Sequence, residues 1–334
     1  MKPVTFGIIG AGRIGKLHAD NLLSRVDGAR LKAITDPFLD EDWAASRNIP
    51  LTGKDHRILL DDPEIDAILI GSPSAEHAPQ MIECAEARKH IFCEKPIALD
   101  PEIIRNALAE VDKSGVKLQV GFNRRFDPNF SAVQHQVASG ALGDPHIIRI
   151  TSRDPAPPPA EYVAGSGGMF LDMTIHDFDM ACFLSGSEVN EVHAYGAVLV
   201  DPEIGKAGDI DTAVISLKFA NGALGIIENS RKAVYGYDQR VEVFGAKGTA
   251  MADNNTPTSM IVLNESGTIR DKPLYFFLER YKTAFVAEMQ AFVDAIREDK
   301  PTLVSGKDGL VPVLIAMAAK ESLKTGKPVQ VVSV

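Results

Sequence analysis

Apolar residues in the first 120 positions come in short continuous runs, with stretches of helical spacing between them. Runs over 4–10, 29–36, 66–73, 90–96 and 117–122 read as strands, with a shorter one near 50–51. Helices are expected over 14–24, around Trp43, over 77–87 and up to about Ser114. Buried strands bounded by turn residues and alternating with helices imply βαβ units and a parallel sheet. The pattern changes after residue 122. Past a helix near 129–138 come strand-like runs with little helix between them, over 146–153, 191–200, 211–219, 223–231, 239–246 and 260–264. Turn signals such as Asn221-Gly222 and Ala246-Lys247-Gly248 separate some of them. This half reads as a largely antiparallel sheet, hence α+β. Helices over 280–298 and 309–325 and the run at 329–332 complete the chain. The stretch PAPPPAEYVAGSGG (155–168) reads as a loop with polyproline character.

At 334 residues, 45% of them hydrophobic and 24% charged, the chain suits two soluble domains. The net charge is −10 and no basic run occurs, which argues against nucleic-acid and anionic-membrane partners. No stretch approaches the ~18 consecutive apolar residues of a membrane span. The apolar start breaks into glycines and carries no cleavage-site pattern, so it reads as a first strand, and a cytoplasmic location is expected. Cys84, Cys93 and Cys182 form no close pair and no C-x-x-C, so neither a disulfide framework nor a cysteine-rich zinc site is expected.

Gly10-Ala11-Gly12-Arg13-Ile14-Gly15 fits G-x-G-x-x-G between an expected strand and an expected helix. Glycines there permit a tight turn, a close backbone approach to a pyrophosphate and close helix packing, and the helix start offers N–H groups to the anion. Asp36 ends the second strand, where a carboxylate accepts from ribose hydroxyls. A 2′-phosphate there would meet a like charge, at about 4 kcal/mol per unit pair for ~4 Å and an effective dielectric near 20. No Arg follows Asp36, so NAD is favoured over NADP. The expected organisation is an α/β Rossmann domain with a parallel sheet over 1–122. An α+β domain with a large, mainly antiparallel open sheet follows over 123–334, its last helix able to pack back on the first.

Ligands of open parallel sheets bind at the carboxyl ends of the strands. Two such ends stand out: Gly71-Ser72-Pro73-Ser74 followed by His77, and Glu94-Lys95-Pro96. The latter, after the glycine signature, resembles the Gfo/Idh/MocA oxidoreductase family. The resemblance covers essentially the whole chain. It extends to GFNRRFD (121–127), SRDPAPPP (152–159), GGMFLDMTIHDFD (167–179) and YGYDQR (235–240), and is strongest to the inositol-oxidising members.

The resemblance implies NAD as cofactor and oxidation of a cyclitol hydroxyl, myo-inositol to 2-keto-myo-inositol (scyllo-inosose). It implies catalysis by Lys95, Asp172 and His176. Cofactor contacts are expected at Gly10, Gly12, Arg13, Ile14, Gly15, Asp36, Ser72, Pro73, His77, Glu94, Lys95 and Asn123. Substrate contacts are expected at Lys95, Arg124, Arg153, Asp154, Asp172, His176, Asp179 and Tyr235. It also implies a homotetramer assembled through the open face of the second sheet.

Residue chemistry agrees. Asp172, His176 and Asp179 lie at i, i+4 and i+7, so on one helix they share a face. Alcohol oxidation needs a hydride acceptor and a base for the hydroxyl proton, and an imidazole titrates in the right range. Asp172 would orient that imidazole or bond the substrate. Lys95 would favour alkoxide character on the reacting oxygen. The competing readings are a salt-bridged helix face with one satisfied His, and a metal site. A zinc dehydrogenase needs three protein ligands, and no cysteine stands beside a His at ligand spacing, so no metal is expected. Alternatives in function are a scyllo-inositol or aldose dehydrogenase, an NAD-dependent glycosidase with recycled cofactor, and a non-catalytic sensor. Lys95, Asp172 and His176 argue against the last.

Overall fold

Six parallel strands organise the first half of the computed structural model, which describes residues 2–332. They are β1 (Val4–Ile9), β2 (Ala29–Thr35), β3 (Leu51–Gly53), β4 (Ala67–Ile70), β5 (His90–Cys93) and β6 (Leu118–Val120), in the order β3-β2-β1-β4-β5-β6. All six residues of β1 and all four of β4 are buried, which is why their sequences are apolar without alternation. Strand order reverses between β1 and β4, the place where doubly wound sheets bind ligands.

The first unit comprises Met1–Phe126 together with Thr283–Val313, and the second Asp127–Lys282 together with Leu314–Val334. The single boundary expected after residue 122 is therefore replaced by a break four residues later and a return of the chain to the first unit. The cause is packing. The helix Lys282–Arg297 turns Met289, Phe292 and Val293 into the same core as Phe6, Ile8 and Phe92. The Phe292 ring meets those of Phe6 and Phe92 edge-on, at centroid distances of 6.1 and 5.9 Å. Residues 1, 333 and 334, which the expected domain ranges include, lie outside the described residues.

The second unit holds a mixed, mostly antiparallel sheet of seven strands. They are β7 (Pro145–Arg153), β8 (Val189–Ala197), β9 (Thr212–Phe219), β10 (Leu224–Ser230), β11 (Asp238–Gly245), β12 (Gly248–Ala252) and, after the hairpin of β13 (Ile261–Asn264) and β14 (Gly267–Arg270), β15 (Val329–Gln330). Their order is β12-β11-β7-β10-β9-β8-β15, and only the β7–β10 pair is parallel. Alternation is clear on β9: Ala213, Ile215, Leu217 and Phe219 face the core, while Val214, Ser216 and Lys218 are exposed. Helices Pro128–Ala138 and Ile175–Ser185 pack on the core face. The other face carries exposed Ile147, Val214, Leu224, Ile226 and Phe244. The proline-rich stretch is not wholly loop, because residues after Pro159 form a short helix, Ala160–Gly165.

Candidate active site

In the first unit the glycine turn sits at the strand-order reversal. Gly10 has φ +96°, and a Cβ on it would lie 2.6 Å from backbone atoms of Gly71 and Ser72. A Cβ on Gly15 would lie 1.9 Å from the Gly10 carbonyl oxygen, so the helix Arg13–Ser24 can rest on the turn only because that residue is glycine. A Cβ on Gly12 would meet nothing within 4 Å, so the backbone there is open to an approaching group. Gly12 caps the helix with no side chain, leaving first-turn N–H donors for an anion. Asp36 accepts from the Ala11 N–H at 2.7 Å and the Phe38 N–H at 2.8 Å, which fixes its carboxylate beside the turn. An open backbone cradle, donors at a helix start and a fixed carboxylate at the end of β2 fit the pyrophosphate and ribose of a dinucleotide.

The second edge holds surprises. His77 is buried, with Nδ1 2.8 Å from the Pro96 carbonyl and Nε2 2.8 Å from the Ser72 carbonyl. Burial pushes its imidazole below the ordinary value against the pull of those carbonyls. Instead of facing a cofactor, it straps together the Ser72-Pro73 turn and the Glu94-Lys95-Pro96 turn. Ser72 Oγ donates to Gln80 at 2.7 Å. Glu94 turns inward, its Oε1 2.9 Å from Nε2 of buried His18, and Glu288 Oε1 lies 3.8 Å from the same nitrogen. Ligand atoms of these three converge within 4.8 Å, the one such group among the described residues. Burial first, then Glu94, pushes the Glu288 carboxyl well above the carboxylate range, so a proton serves as its counter-charge. The expected grouping of His176 with Asp172 and Asp179 forms no such cluster among the described residues. Lys95 is half-buried and its peptide bond to Pro96 is cis. Asn123 and Arg124 are buried in the short turn Asn123–Phe126.

In the second unit, the expected single helix over Asp172, His176 and Asp179 is broken. Asp172 ends the helix Met169–Asp172, and His176 is the second residue of the helix Ile175–Ser185. The ladder tightens at the break, where the His176 N–H reaches the Met173 carbonyl at 3.3 Å and the Asp177 N–H the Thr174 carbonyl at 2.8 Å. Anchors on the sheet hold this arrangement. Thr174 Oγ1 donates to Asn229 Oδ1 at 2.8 Å, and Asn229 Nδ2 donates to Asp177 Oδ2 at 2.8 Å, all buried. His176 lies between these two anchored residues and is half-buried; Asp179 is buried further along.

Asp172 itself is gripped from two sides. Tyr162 Oη donates to its Oδ1 at 3.0 Å, and Arg231 Nη2 donates to its Oδ2 at 2.9 Å. Arg231 Nη1 also reaches Asp154 Oδ2 at 3.3 Å. Strand register explains the convergence. β7 and β10 pair in parallel with Arg153 opposite Ser230, so the next residues, Asp154 and Arg231, both point to the core face. Neither Arg231 nor Tyr162 was among the expected site residues. The available signal was parity, since Arg231 is a charge in the inward phase set by Gly225, Ile227 and Asn229.

By the same alternation Arg153 parts company with Asp154, and Tyr235, bonded to Arg153, goes with it. Arg153 points to the open face, pairing with Glu228 at 2.9 Å and donating to Tyr235 Oη at 2.8 Å and Asp238 at 3.3 Å. Tyr235 Oη donates to Asp238 at 2.6 Å. Burial would raise the Asp238 carboxyl, but Arg240, Tyr235 and Asn254 hold it below the ordinary range. Burial and Asp238 together raise the Tyr235 hydroxyl. Arg153 and Tyr235 thus build a polar cluster on the opposite side of the sheet from the Asp172 group.

A glycine turn at the strand-order reversal of a parallel sheet, with donors at a helix start and a fixed carboxylate at the end of β2, defines a dinucleotide-binding domain. Residues 4–122 match the oxidoreductase-family NAD-binding Rossmann fold, and residues 130–251 match the GFO/IDH/MocA C-terminal domain. The chain belongs to the Gfo/Idh/MocA family and is an NAD-dependent oxidoreductase. It is 54% identical to an uncharacterized oxidoreductase of Bacillus subtilis, over 99% of this chain and 97% of that one. It is 49% identical to the myo-inositol 2-dehydrogenase of Thermotoga maritima, over 97% of both. The scyllo-inositol dehydrogenase of Lactobacillus casei, solved with NAD(H) and scyllo-inositol, superposes with a TM-score of 0.93 at 35% identity, over 99% of this chain and all (100%) of that one.

Proposed function

We propose that this chain oxidises a ring hydroxyl of an inositol, taking myo-inositol to 2-keto-myo-inositol. NAD, when bound to the glycine turn and Asp36, accepts the hydride. His176 is the general base that takes the hydroxyl proton, and a positioned base contributes about 10²–10⁴-fold. Asp172 accepts from the substrate or steadies the imidazolium, and Lys95 favours negative charge developing on the reacting oxygen. Asp154 accepts from a further hydroxyl. The observation that carries the reading is the pair Asp154 and Asp172 held on one guanidinium, two fixed acceptors suited to an uncharged polyol. Arg153 and Tyr235 drop out of the substrate set because they face the other side of the sheet. A second reading, oxidation of scyllo-inositol, is favoured by the similarity to the Lactobacillus enzyme.

The test is NADH absorbance with myo-, scyllo- and chiro-inositol and glucose, each with NAD⁺ and NADP⁺. NADH formation with an inositol and NAD⁺ is expected; no NADH with any cyclitol contradicts the proposal. Self-association as a homotetramer is proposed through the open face, where Val214, Leu224, Ile226 and Phe244 would leave water. Light scattering showing a monomer at working concentration contradicts that. No helix among the described residues is long and apolar enough to cross a membrane. A cytoplasmic location suits an NAD-dependent enzyme whose cysteines Cys84, Cys93 and Cys182 form no disulfide among the described residues.

A further inference from the structure

Arg231 is 3% exposed and carries two carboxylate partners, Asp154 at 3.3 Å and Asp172 at 2.9 Å. Its own backbone is fixed, because its N–H donates to the Asp211 carbonyl at 2.8 Å. Asp154 is fixed likewise, donating its N–H to Ser230 at 2.9 Å and accepting from the Ala233 N–H at 2.7 Å. Burial would lower the guanidinium's proton affinity, but Asp172 and Asp154 outweigh it, so the cation persists. For stability alone, an apolar side chain at this inward position would serve as well, since buried ion pairs often break even against hydrophobic replacements. What a guanidinium adds is geometry. Its planar fork sets two acceptors at a defined separation and orientation, which a lysine's single ammonium cannot do.

We propose that Arg231 is a positioning residue for the oxidation, locking Asp172 and Asp154 in the relative placement that the polyol's hydroxyls require. The assignment rests on the proposed function and extends it. Asp172 keeps its Oδ1 side toward Tyr162 and its Oδ2 side on Arg231, so its rotation is arrested before substrate arrives. The guanidinium is occupied by the enzyme's own carboxylates, which leaves the selection to neutral hydroxyls rather than to an acidic or phosphorylated sugar.

The test compares Arg231→Lys and Arg231→Gln with wild type in steady-state oxidation of myo-inositol, with NADH affinity measured by fluorescence. Arg231→Lys keeps the charge and loses the fork. It is expected to lower kcat/KM about tenfold, and Arg231→Gln about 100-fold, the scale on which small misplacements act. In both, KM for the polyol rises while NADH affinity stays at the wild-type value. A merely structural role would reduce the folded fraction, lowering kcat with KM unchanged, and that result overturns the proposal. Combining Arg231→Lys with Asp172→Asn is expected to give less than the product of the two single losses. Should wild type form no NADH with any inositol, the proposed function fails. Where wild type does form NADH but both variants keep its KM, the Arg231 assignment fails instead.

Discussion

Asn229 Nδ2 donates to Asp177 Oδ2 at 2.8 Å in the buried interior of the second unit. Asn229 also accepts from Thr174, so one amide of β10 fixes the first turn of the helix that carries His176. Replacing it by leucine leaves a buried carboxylate and a buried hydroxyl short of a partner. Asn229→Leu is therefore expected to cost about 3 kcal/mol of stability. It is also expected to lower kcat while NADH affinity, which belongs to the first unit, holds. Urea unfolding together with steady-state kinetics checks both; unchanged kcat in the folded variant would show that the base needs no such anchor.

The Ala11 N–H and the Phe38 N–H hold the Asp36 carboxylate beside the glycine turn. Its charge is the expected barrier to a 2′-phosphate. Asp36→Ala should raise the ratio of kcat/KM with NADP⁺ to that with NAD⁺ by about tenfold or more. That is well below the ~4 kcal/mol bare Coulomb figure, because solvent screens the pair. Cofactor titrations of both proteins decide it, and an unchanged ratio removes Asp36 from cofactor selection.

Glu288 is fully buried beside His18 and Glu94, with its carboxyl pushed well above the ordinary value of 4.5. The folded chain therefore holds a proton that the unfolded chain releases above that value. Stability from this group is fully present below the ordinary carboxylate range and is lost as pH rises toward the raised value, by up to about 1.4 kcal/mol per pH unit. Glu288→Gln resembles the protonated acid and does not titrate. Between pH 5 and 8, wild type should lose stability relative to the variant, measured as the difference in urea-unfolding free energy. Parallel curves would show that Glu288 holds no proton in the fold.

The two halves of the molecule differed in how openly their sequences declare them. Strands such as β1 and β4 are apolar at every position because both faces are covered, so period alone reveals them, and the G-x-G-x-x-G turn is dictated by contacts within a few residues of itself. A return of the chain to the first unit is expected of the last helix, whose start does belong there, but the part played by Met289, Phe292 and Val293 is hidden, since an apolar helix face does not say which sheet it will cover. The break between Asp172 and His176 was hidden for a related reason. Its cause includes Asn229, 55 residues from Thr174, and spacing along one segment contains no such partner. Arg153 and Asp154 look equivalent in a row of letters, yet one step of strand alternation sends them to opposite faces. Arg231 follows the last residue of β10 and so reads as a surface charge, although a charge in the inward phase of an alternating strand asks for a partner.

In the proposed oxidation His176 removes the hydroxyl proton. The most direct measurement is kcat for inositol oxidation by His176→Ala, with NADH affinity determined on the same preparation. A fall of about 10²–10⁴-fold in kcat at undiminished NADH affinity is predicted. Turnover at the wild-type rate would exclude His176 as the base.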